Sequence, residues 1–144
     1  MKKSALLLRL NPNHWPVWQE RLKEDSFKSI WFKTGRRIPS EIRKGIPVYV
    51  LGTRNLGLVA YGKTSSNVER IHDPDYKEAP PQKQEEYKLP ENRVCADIKR
   101  ISIPLAKISA YPALTELHTR RETTTWLDSE QASLLEELCV NKRS

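Results

Sequence analysis

The chain has 144 residues and is 38% hydrophobic, so it can bury one sizeable core and leaves little room for a second domain. No apolar run approaches the roughly 18 residues of a membrane-spanning helix, so we expect a single domain over residues 1–144, cytoplasmic and without a membrane partner. Cys95 and Cys139 lie far apart, and neither a disulfide framework nor a zinc site is indicated. The net charge of +7 comes from residues 1–72, where 14 Lys/Arg face 5 Asp/Glu, since residues 73–144 hold 11 and 13. A basic half favours a polyanionic partner.

The first part of the chain predicts a strand followed by a helix. Residues 4–10 form a short aliphatic run, which is typical of a strand buried on both faces. Asn13 can cap a helix that ends near Asp25, with Trp18 and its apolar neighbours on the buried face. Residues 27–33 fit either a short strand or a helical turn.

A β-hairpin is the clearest prediction. Residues 46–51 and 58–62 are rich in β-branched and aromatic side chains and flank the turn-forming residues 52–55. We therefore expect an antiparallel pair whose side chains alternate between two faces. Residues 38–45, just before it, predict a single helical turn. The alternation places Val48 and Val50 on one face and Tyr49 and Leu51 on the other.

The second half predicts a loop, a bulged strand and a terminal helix. Residues 72–92 hold four of the ten prolines and many charges, so we expect a long loop without a core of its own. Residues 94–103 alternate as a strand, but the phase shifts by one residue near Arg100, which predicts a β-bulge. Asp128 and Gln131 have the spacing of a reciprocal cap at the start of the last helix. The buried stripe of that helix is Leu134, Leu135, Leu138 and Cys139.

Motifs for catalysis are missing from the sequence. The three histidines (His14, His72 and His118) are scattered, and neither a nucleophile motif nor a phosphate-binding glycine-rich loop is present. Surface or turn positions are the ordinary explanation for such histidines. We therefore expect no enzyme, no cofactor and no metal site.

Aromatic and basic residues are interleaved through the first half of the chain. Bases stack on aromatic side chains for roughly 1–3 kcal/mol each, whereas flipping a base out of a duplex costs a few kcal/mol. Two aromatic walls with phosphate contacts could offset the flip, and one wall could not. Trp31 is the strongest candidate for a wall, because the cations Lys33, Arg36 and Arg37 follow it. Trp126 fits a packing position instead, and the cations alone would also fit a solvated face.

The order of these elements resembles the EVE domains, which are relatives of the YTH domains in the PUA-like superfamily. The resemblance is carried by the Asn-Pro-x-x-Trp pattern at 11–15, by Ile30-Trp31 before a turn, by the hairpin at 45–66, and by the Arg-Arg-Glu-x-Thr-x-x-Leu-Asp-x-Glu-Gln run at 120–131. It covers nearly the whole chain. It implies an α+β fold: a strongly bent antiparallel or mixed β-barrel flanked by short helices.

The resemblance also implies a pocket for a flipped, modified base. Trp31 matches a pocket tryptophan of YTH domains, although Phe32 stands where serine is usual. The residues that we place in the pocket are Trp31, Phe32, Asn11, Asn13, Trp15, Tyr76, Tyr87 and Ser65, and which of the aromatic ones forms the second wall stays open. The cations expected at phosphates are Lys33, Arg36, Arg37, Lys44, Arg54, Arg120 and Arg121. Glu122 stands where EVE domains usually carry glutamine.

The function implied by the resemblance is recognition of a modified, for example methylated, base in DNA. Prokaryotic EVE-like domains are often fused to nucleases or AAA+ motors as specificity modules of modification-dependent restriction systems, so such a fused or associated partner is expected. An RNA-binding module on the same barrel is the alternative, and a small hydrolase or protein-interaction domain is a third. The sequence leaves open which base and which modification are recognised.

Overall fold

The computed structural model describes residues 3–10, 28–34, 41–52, 55–74, 76–79, 81–120 and 123–143. The helix predicted from Asn13 to near Asp25 lies outside these residues. The strands are β1 (Lys3–Leu10), β2 (Lys28–Lys33), β3 (Pro47–Gly52), β4 (Gly57–Thr64), β5 (Glu69–Ile71), β6 (Glu91–Ile103) and β7 (Thr124–Asp128). The helices are α1 (Gln84–Tyr87), α2 (Leu105–Ser109) and α3 (Ser129–Arg143), with short 3₁₀ turns at Tyr76–Glu78, Pro81–Lys83, Pro112–Leu114 and Leu117–Thr119. No helix of the described chain is long and apolar enough to cross a bilayer.

All seven strands join one mixed sheet, in the order β2-β6-β4-β3-β1-β7, with β5 pairing to β6 beside that path. The pair β1–β3 is parallel, and the others are antiparallel. The hairpin predicted from residues 46–62 is β3–β4, and residues 28–33 form a strand rather than a helical turn. The α+β prediction is confirmed.

The inner face of the sheet carries a dry cluster that requires the sheet to curl. Ile30 of β2 and Leu8 of β1 belong to this one cluster, although three strands separate β2 from β1 in the sheet. The Thr124 hydroxyl of the edge strand β7 donates to the carbonyl oxygen of Lys33 on the opposite edge, at 2.6 Å. The sheet is therefore a curled half-barrel. Its interior cluster is Leu6, Leu8, Leu10, Ile30, Phe32, Ile42, Val48, Val50, Ala60, Val94, Ala96 and Ile98, with Trp126 packed against it.

The outer face carries a second cluster, which the helices cover. Tyr49 and Leu51 belong to it, as the alternation along β3 predicts, and Leu135 and Cys139 of α3 pack on them. On β6 the side chains of Val94, Ala96 and Ile98 point inward, whereas Ile101 and Ile103 join the outer cluster. The predicted bulge is confirmed, because Ala60 pairs with Arg100 while Leu58 pairs with Ile103, so β6 holds one extra residue there.

The terminal helix begins as predicted. The Gln131 backbone N–H donates to Asp128 Oδ1 at 2.8 Å, and the Asp128 N–H donates to Gln131 Oε1 at 3.1 Å. This reciprocal cap satisfies two donors at the start of α3. Both cysteines are buried, Cys139 on the core-facing side of this helix and Cys95 on β6.

The segment at 72–90 has more structure than the expected loop. It contains two 3₁₀ turns and α1, and the buried carboxylate of Asp73 lies 3.9 Å from the buried guanidinium of Arg93. Arg93 Nε also donates to the Ile71 carbonyl, and the Asp73 N–H donates to the Tyr87 carbonyl. Composition does not predict this structure, because the segment is held by the ion pair of Asp73 with Arg93 on β6 rather than by an apolar core of its own.

Candidate functional site

A cleft of about 1220 Å³ lies between α3 and the outer face of β3, β4 and β6. We call it the sheet–helix cleft. Tyr49, Tyr61, Lys63 and Asp97 line it from the sheet. Ser129, Ala132, Ser133, Glu136 and Glu137 line it from the helix, and Lys44 and Ser65 lie at its edge.

Two tyrosines build the floor of the cleft. Tyr49 and Tyr61 are directly opposite each other on β3 and β4, so their side chains share the outer face. Tyr49 is buried, and its hydroxyl donates to Glu136 Oε2 at 2.9 Å, which ties α3 to the sheet. Tyr61 is half-buried against the outer cluster and lines the cleft. One tyrosine therefore holds the wall in place, while the other offers an aromatic surface to the cleft.

A cation and an anion lie side by side at the far end of the floor. Lys63 on β4 is the register partner of Asp97 on β6. The Ser29 hydroxyl donates to Asp97 Oδ1 at 2.7 Å, which orients the carboxylate from β2. Gly62 allows this approach, because a Cβ there would overlap the backbone oxygen of Asp97. At this end of the cleft the carboxylate of Asp97, oriented by a hydrogen bond, therefore lies next to Lys63.

The edge of the cleft is shaped by Thr64 at the end of β4. Its hydroxyl donates to the Arg43 carbonyl at 2.6 Å and accepts from the Ile46 N–H at 2.9 Å. The Lys44 N–H donates to Asn67 Oδ1 at 3.0 Å. These bonds hold the segment before β3 against the end of β4, and they place Lys44 at the cleft.

Charged side chains line both walls of the cleft. Lys44, Lys63 and Asp97 lie on the sheet side, and Glu136 and Glu137 lie on α3. A phosphate would therefore be attracted only beside the two lysines and repelled by the helix side.

The residues of the predicted base pocket are only partly brought together. Trp31 is half-buried on the outer face of β2, opposite Cys95. Ser65 lines the cleft, and its N–H donates to the Cys95 carbonyl, so Trp31 and Ser65 lie on opposite sides of β6. Phe32 is 5% exposed and packs in the interior cluster, because alternation along β2 turns it away from Trp31. Its prediction as a pocket residue is corrected to a core position.

The two tyrosines considered for the second wall lie in the 72–90 segment. The Tyr76 ring makes an edge contact with His72, and the Lys88 ammonium lies over it, 5.3 Å from the centroid. Tyr87 is half-buried, and burial raises its pKa above the ordinary value, helped by the carboxylates of Glu86 and Asp73. Packing within the segment accounts for both positions.

Of the predicted phosphate ligands, Lys44 lies at the cleft and Lys33 is half-buried at the end of β2. The Arg120 guanidinium is engaged within the fold, since it bonds both carboxylate oxygens of Glu116, the Thr125 hydroxyl and the Trp126 carbonyl. Its hydrogen bonds lower the pKa of Glu116 below the usual value. The predicted residues outside the described part of the chain are Asn11, Asn13, Trp15, Arg36, Arg37, Arg54 and Arg121.

Tyr61, Lys63 and Asp97 are among the cleft residues that the sequence analysis did not place in a pocket. A signal was present, since the predicted hairpin puts Tyr61 and Lys63 on one face of a strand. The position of Asp97 depends on the long-range register of β4 with β6, which local patterns do not contain. In the described ranges no group of three or more His, Cys, Asp or Glu side chains is arranged to hold a metal ion.

No family model matches the chain, and no curated protein matches its sequence. Solved structures do share its fold over nearly the whole length. A hypothetical protein from Leishmania major is 13% identical with a TM-score of 0.61, covering 99% of this chain and 98% of that one. The Pseudomonas syringae protein PSPTO5229 is 15% identical with a TM-score of 0.55, covering 93% and 98%. A mutant of ZmASCH from Zymomonas mobilis is 15% identical with a TM-score of 0.51, covering 95% and 97%. The chain therefore shares its fold with these three proteins, one of which is an ASCH protein.

Proposed function

We propose that this chain is a nucleic-acid-binding module that takes one unstacked base into the sheet–helix cleft. The observation that supports it best is the combination of Tyr61 with polar side chains in one concave site. Ligand sites that bury a flat ring usually pair an aromatic or apolar surface with a few fixed polar groups. The half-barrel fold and the basic first half of the chain are consistent with this function.

The division of charge in the cleft suggests how the polymer lies. Lys44 on the sheet side is placed to meet a phosphate, and Glu136 and Glu137 would repel phosphates from α3. The backbone then follows the strands, while the base turns toward the helix. Contacts of this kind make affinity depend on salt.

The finer part of the proposal is that a modified base in DNA is the preferred target. Trp31 lies on the same outer face but across β6 and outside the cleft lining, so it would supply a second stacking surface for a base next to the one in the cleft, and the two aromatic residues could together offset the cost of flipping. A methyl group in an apolar pocket discriminates by only about 1–3 kcal/mol, so the preference over the plain base should be modest. A role as the specificity module of a modification-dependent restriction system, with a nuclease or AAA+ motor as partner, rests on the EVE resemblance alone.

The first experiment measures binding of short labelled single strands and duplexes by fluorescence anisotropy over a range of salt. Tyr61→Ala should weaken binding by roughly 1–3 kcal/mol because stacking is lost, while Tyr61→Phe keeps the ring and should bind nearly as well. Lys44→Ala should lower the salt slope by about 0.7 for a single strand. Lys107→Ala and Lys142→Ala, both exposed and away from the cleft, are the matched controls. Equal losses for all of these variants would contradict a role for the cleft.

The preference for a modified base is tested separately with Trp31→Ala. The variant should lose the difference between methylated and plain oligonucleotides while keeping salt-sensitive background binding. An equal loss for both would remove Trp31 from the base site. Competition between matched DNA and RNA strands decides the alternative of an RNA-binding module, since a site that uses the 2′-hydroxyl prefers RNA.

A further inference from the structure

We propose that the sheet–helix cleft selects guanine, with Lys63 and Asp97 contacting its pairing edge and Tyr61 stacking on its ring. This inference rests on the proposed function, because it names the base that the same cleft accepts. Three observations carry it: the register of β4 with β6, the orientation of Asp97 by Ser29, and the position of Tyr61 on the strand that bears Lys63.

The first step is geometric. Residues directly opposite on antiparallel strands have Cβ atoms about 4.5–5.5 Å apart, so Lys63 and Asp97 present a donor and an acceptor side by side. The Ser29 hydroxyl occupies one acceptor position of Asp97 Oδ1 and fixes the plane of the carboxylate. An ionised carboxylate has about four acceptor positions on two oxygens, so capacity remains for a ligand. The cleft end therefore offers one cationic donor beside a pair of acceptors.

The second step is chemical complementarity. The pairing edge of guanine presents the O6 acceptor followed by two donors, N1–H and the N2 amino group. Adenine and cytosine place an acceptor next to their amino group, and thymine or uracil has one N–H between two carbonyls. A carboxylate accepts only and an ammonium donates only. Among the common bases, guanine alone matches a donor followed by two acceptors.

The third step places the ring. Tyr61 lies two residues before Lys63 on β4, and so on the same face, about 7 Å along the strand. That separation is close to the width of a purine. A guanine whose edge meets Lys63 and Asp97 can therefore lie over the phenol ring of Tyr61. A plain surface ion pair between Lys63 and Asp97 would give the cleft no base preference.

The test uses the full chain and a series of single-stranded oligonucleotides that differ at one central base. Guanine should bind about tenfold more tightly than adenine, cytosine or thymine, because a bidentate contact discriminates at that level. Hypoxanthine, which lacks the N2 amino group, should fall between. O6-methylguanine should lose the advantage, and 7-methylguanine, whose pairing edge is unblocked, should keep it.

Variants assign the contacts. Asp97→Asn keeps the size of the side chain but replaces one acceptor with a donor, so the guanine preference should be lost; with the Lys63 donor unchanged, the new order of groups suits a pyrimidine edge rather than adenine, whose amino group would face Lys63. Lys63→Ala should weaken the discrimination between guanine and 2,6-diaminopurine without abolishing it, because the two bases differ at position 6, which Lys63 contacts, and also at N1, where only guanine carries the hydrogen that Asp97 accepts. Lys107→Ala should leave the whole ranking unchanged. Asp97→Asn that keeps the guanine preference would overturn the inference.

The outcomes separate this inference from the function on which it rests. Binding of every oligonucleotide with no dependence on the central base would leave the nucleic-acid module standing and overturn guanine selection. Absence of binding to any oligonucleotide would overturn both. If guanosine monophosphate binds as tightly as the guanine oligonucleotide, guanine selection is supported. The ligand is then a free nucleotide, and the proposal of a nucleic-acid polymer is overturned.

Discussion

The inner and outer faces of the curled sheet are made by the same strands, but they serve different purposes. Inward side chains such as Leu8, Val94 and Phe32 form a buried hydrophobic cluster. The outer face is apolar only where α3 and its neighbours cover it, and it becomes polar at Lys63 and Asp97. The difference shows that the strands' inward residues specify the barrel, whereas their outward residues are available for a ligand wherever a helix leaves them uncovered.

The alternation of β6 continues across both uses. Val94, Ala96 and Ile98 point inward, whereas Asp97, Ile101 and Ile103 point outward. A strand of unbroken period two produces this arrangement by itself, so the extra residue near Arg100 changes the pairing of β6 with β4 rather than the face on which the isoleucines lie. A single strand therefore supplies the barrel core, the polar end of the cleft and the helix-packing surface.

The largest expected effect on the unfolding free energy comes from truncating a side chain of the interior cluster. Leu8→Ala removes a fully buried side chain from the barrel, and such truncations cost about 2–5 kcal/mol of unfolding free energy. The comparison variant Lys63→Ala changes an exposed outer residue and should stay within about 0.5 kcal/mol of the parent. Urea unfolding of both proteins gives the two values. A loss of similar size for both would mean that the outer residue is part of the core after all.

The second largest expected effect concerns Gly62, where the backbones of β4 and β6 approach each other closely. In Gly62→Ala the new Cβ overlaps the backbone oxygen of Asp97, so β4 and β6 must separate. Overpacking of this kind costs about 1–3 kcal/mol, and because the strands that carry Lys63 and Asp97 move apart, base binding should weaken as well. Gly52→Ala is the control, since its neighbours are side-chain carbons of Leu56 and Val59, and it should cost less. Equal costs, measured by urea unfolding, would contradict the steric argument.

A smaller effect loosens the helical wall of the cleft. Asp128→Ala removes the cap acceptor for the Gln131 N–H, and losses of this kind are typically about 1 kcal/mol. Asp128→Asn keeps an acceptor oxygen and should recover most of that stability. Thermal or urea unfolding of the pair checks the ranking. An Asn variant as unstable as the Ala variant would show that charge, rather than the hydrogen bond, matters at this position.

The sequence predicts well those structural features that depend on residues close together in the chain. Alternation along β3, the bulge near Arg100 and the Asp128–Gln131 cap involve residues a few positions apart, and each is confirmed, although the bulge shifts the pairing with β4 and leaves the alternation of β6 unbroken. The cleft is different, because Lys63 and Asp97 meet only once β4 pairs with β6 in a register that a bulge shifts.

Trp31 and the 72–90 segment show the same limit. The alternation that makes Trp31 face outward also buries Phe32, but the sequence alone did not decide that this stretch is a strand. Asp73 anchors its segment through Arg93, twenty positions along the chain, and composition carries no trace of that pairing. The long-range strand register and the Asp73–Arg93 ion pair could therefore be learned only from the structure.

The smallest expected effect is a pH dependence of the unfolding free energy that comes from Glu116. The Arg120 guanidinium lowers the pKa of Glu116 in the folded protein, so this carboxylate stabilises the fold above its ordinary pKa of 4.5, and the contribution is lost as the pH falls through the lower folded value. Glu116 is largely exposed, so solvent screening limits the contribution to below about 1 kcal/mol. Glu116→Gln should therefore be less stable than the parent at neutral pH, and the two unfolding free energies should converge under acid conditions. High salt should shrink the difference at neutral pH, because exposed pairs are screened. A difference that stays constant with pH would show that the amide loses packing rather than charge, and would place Arg120 among the structural contacts of β7 alone.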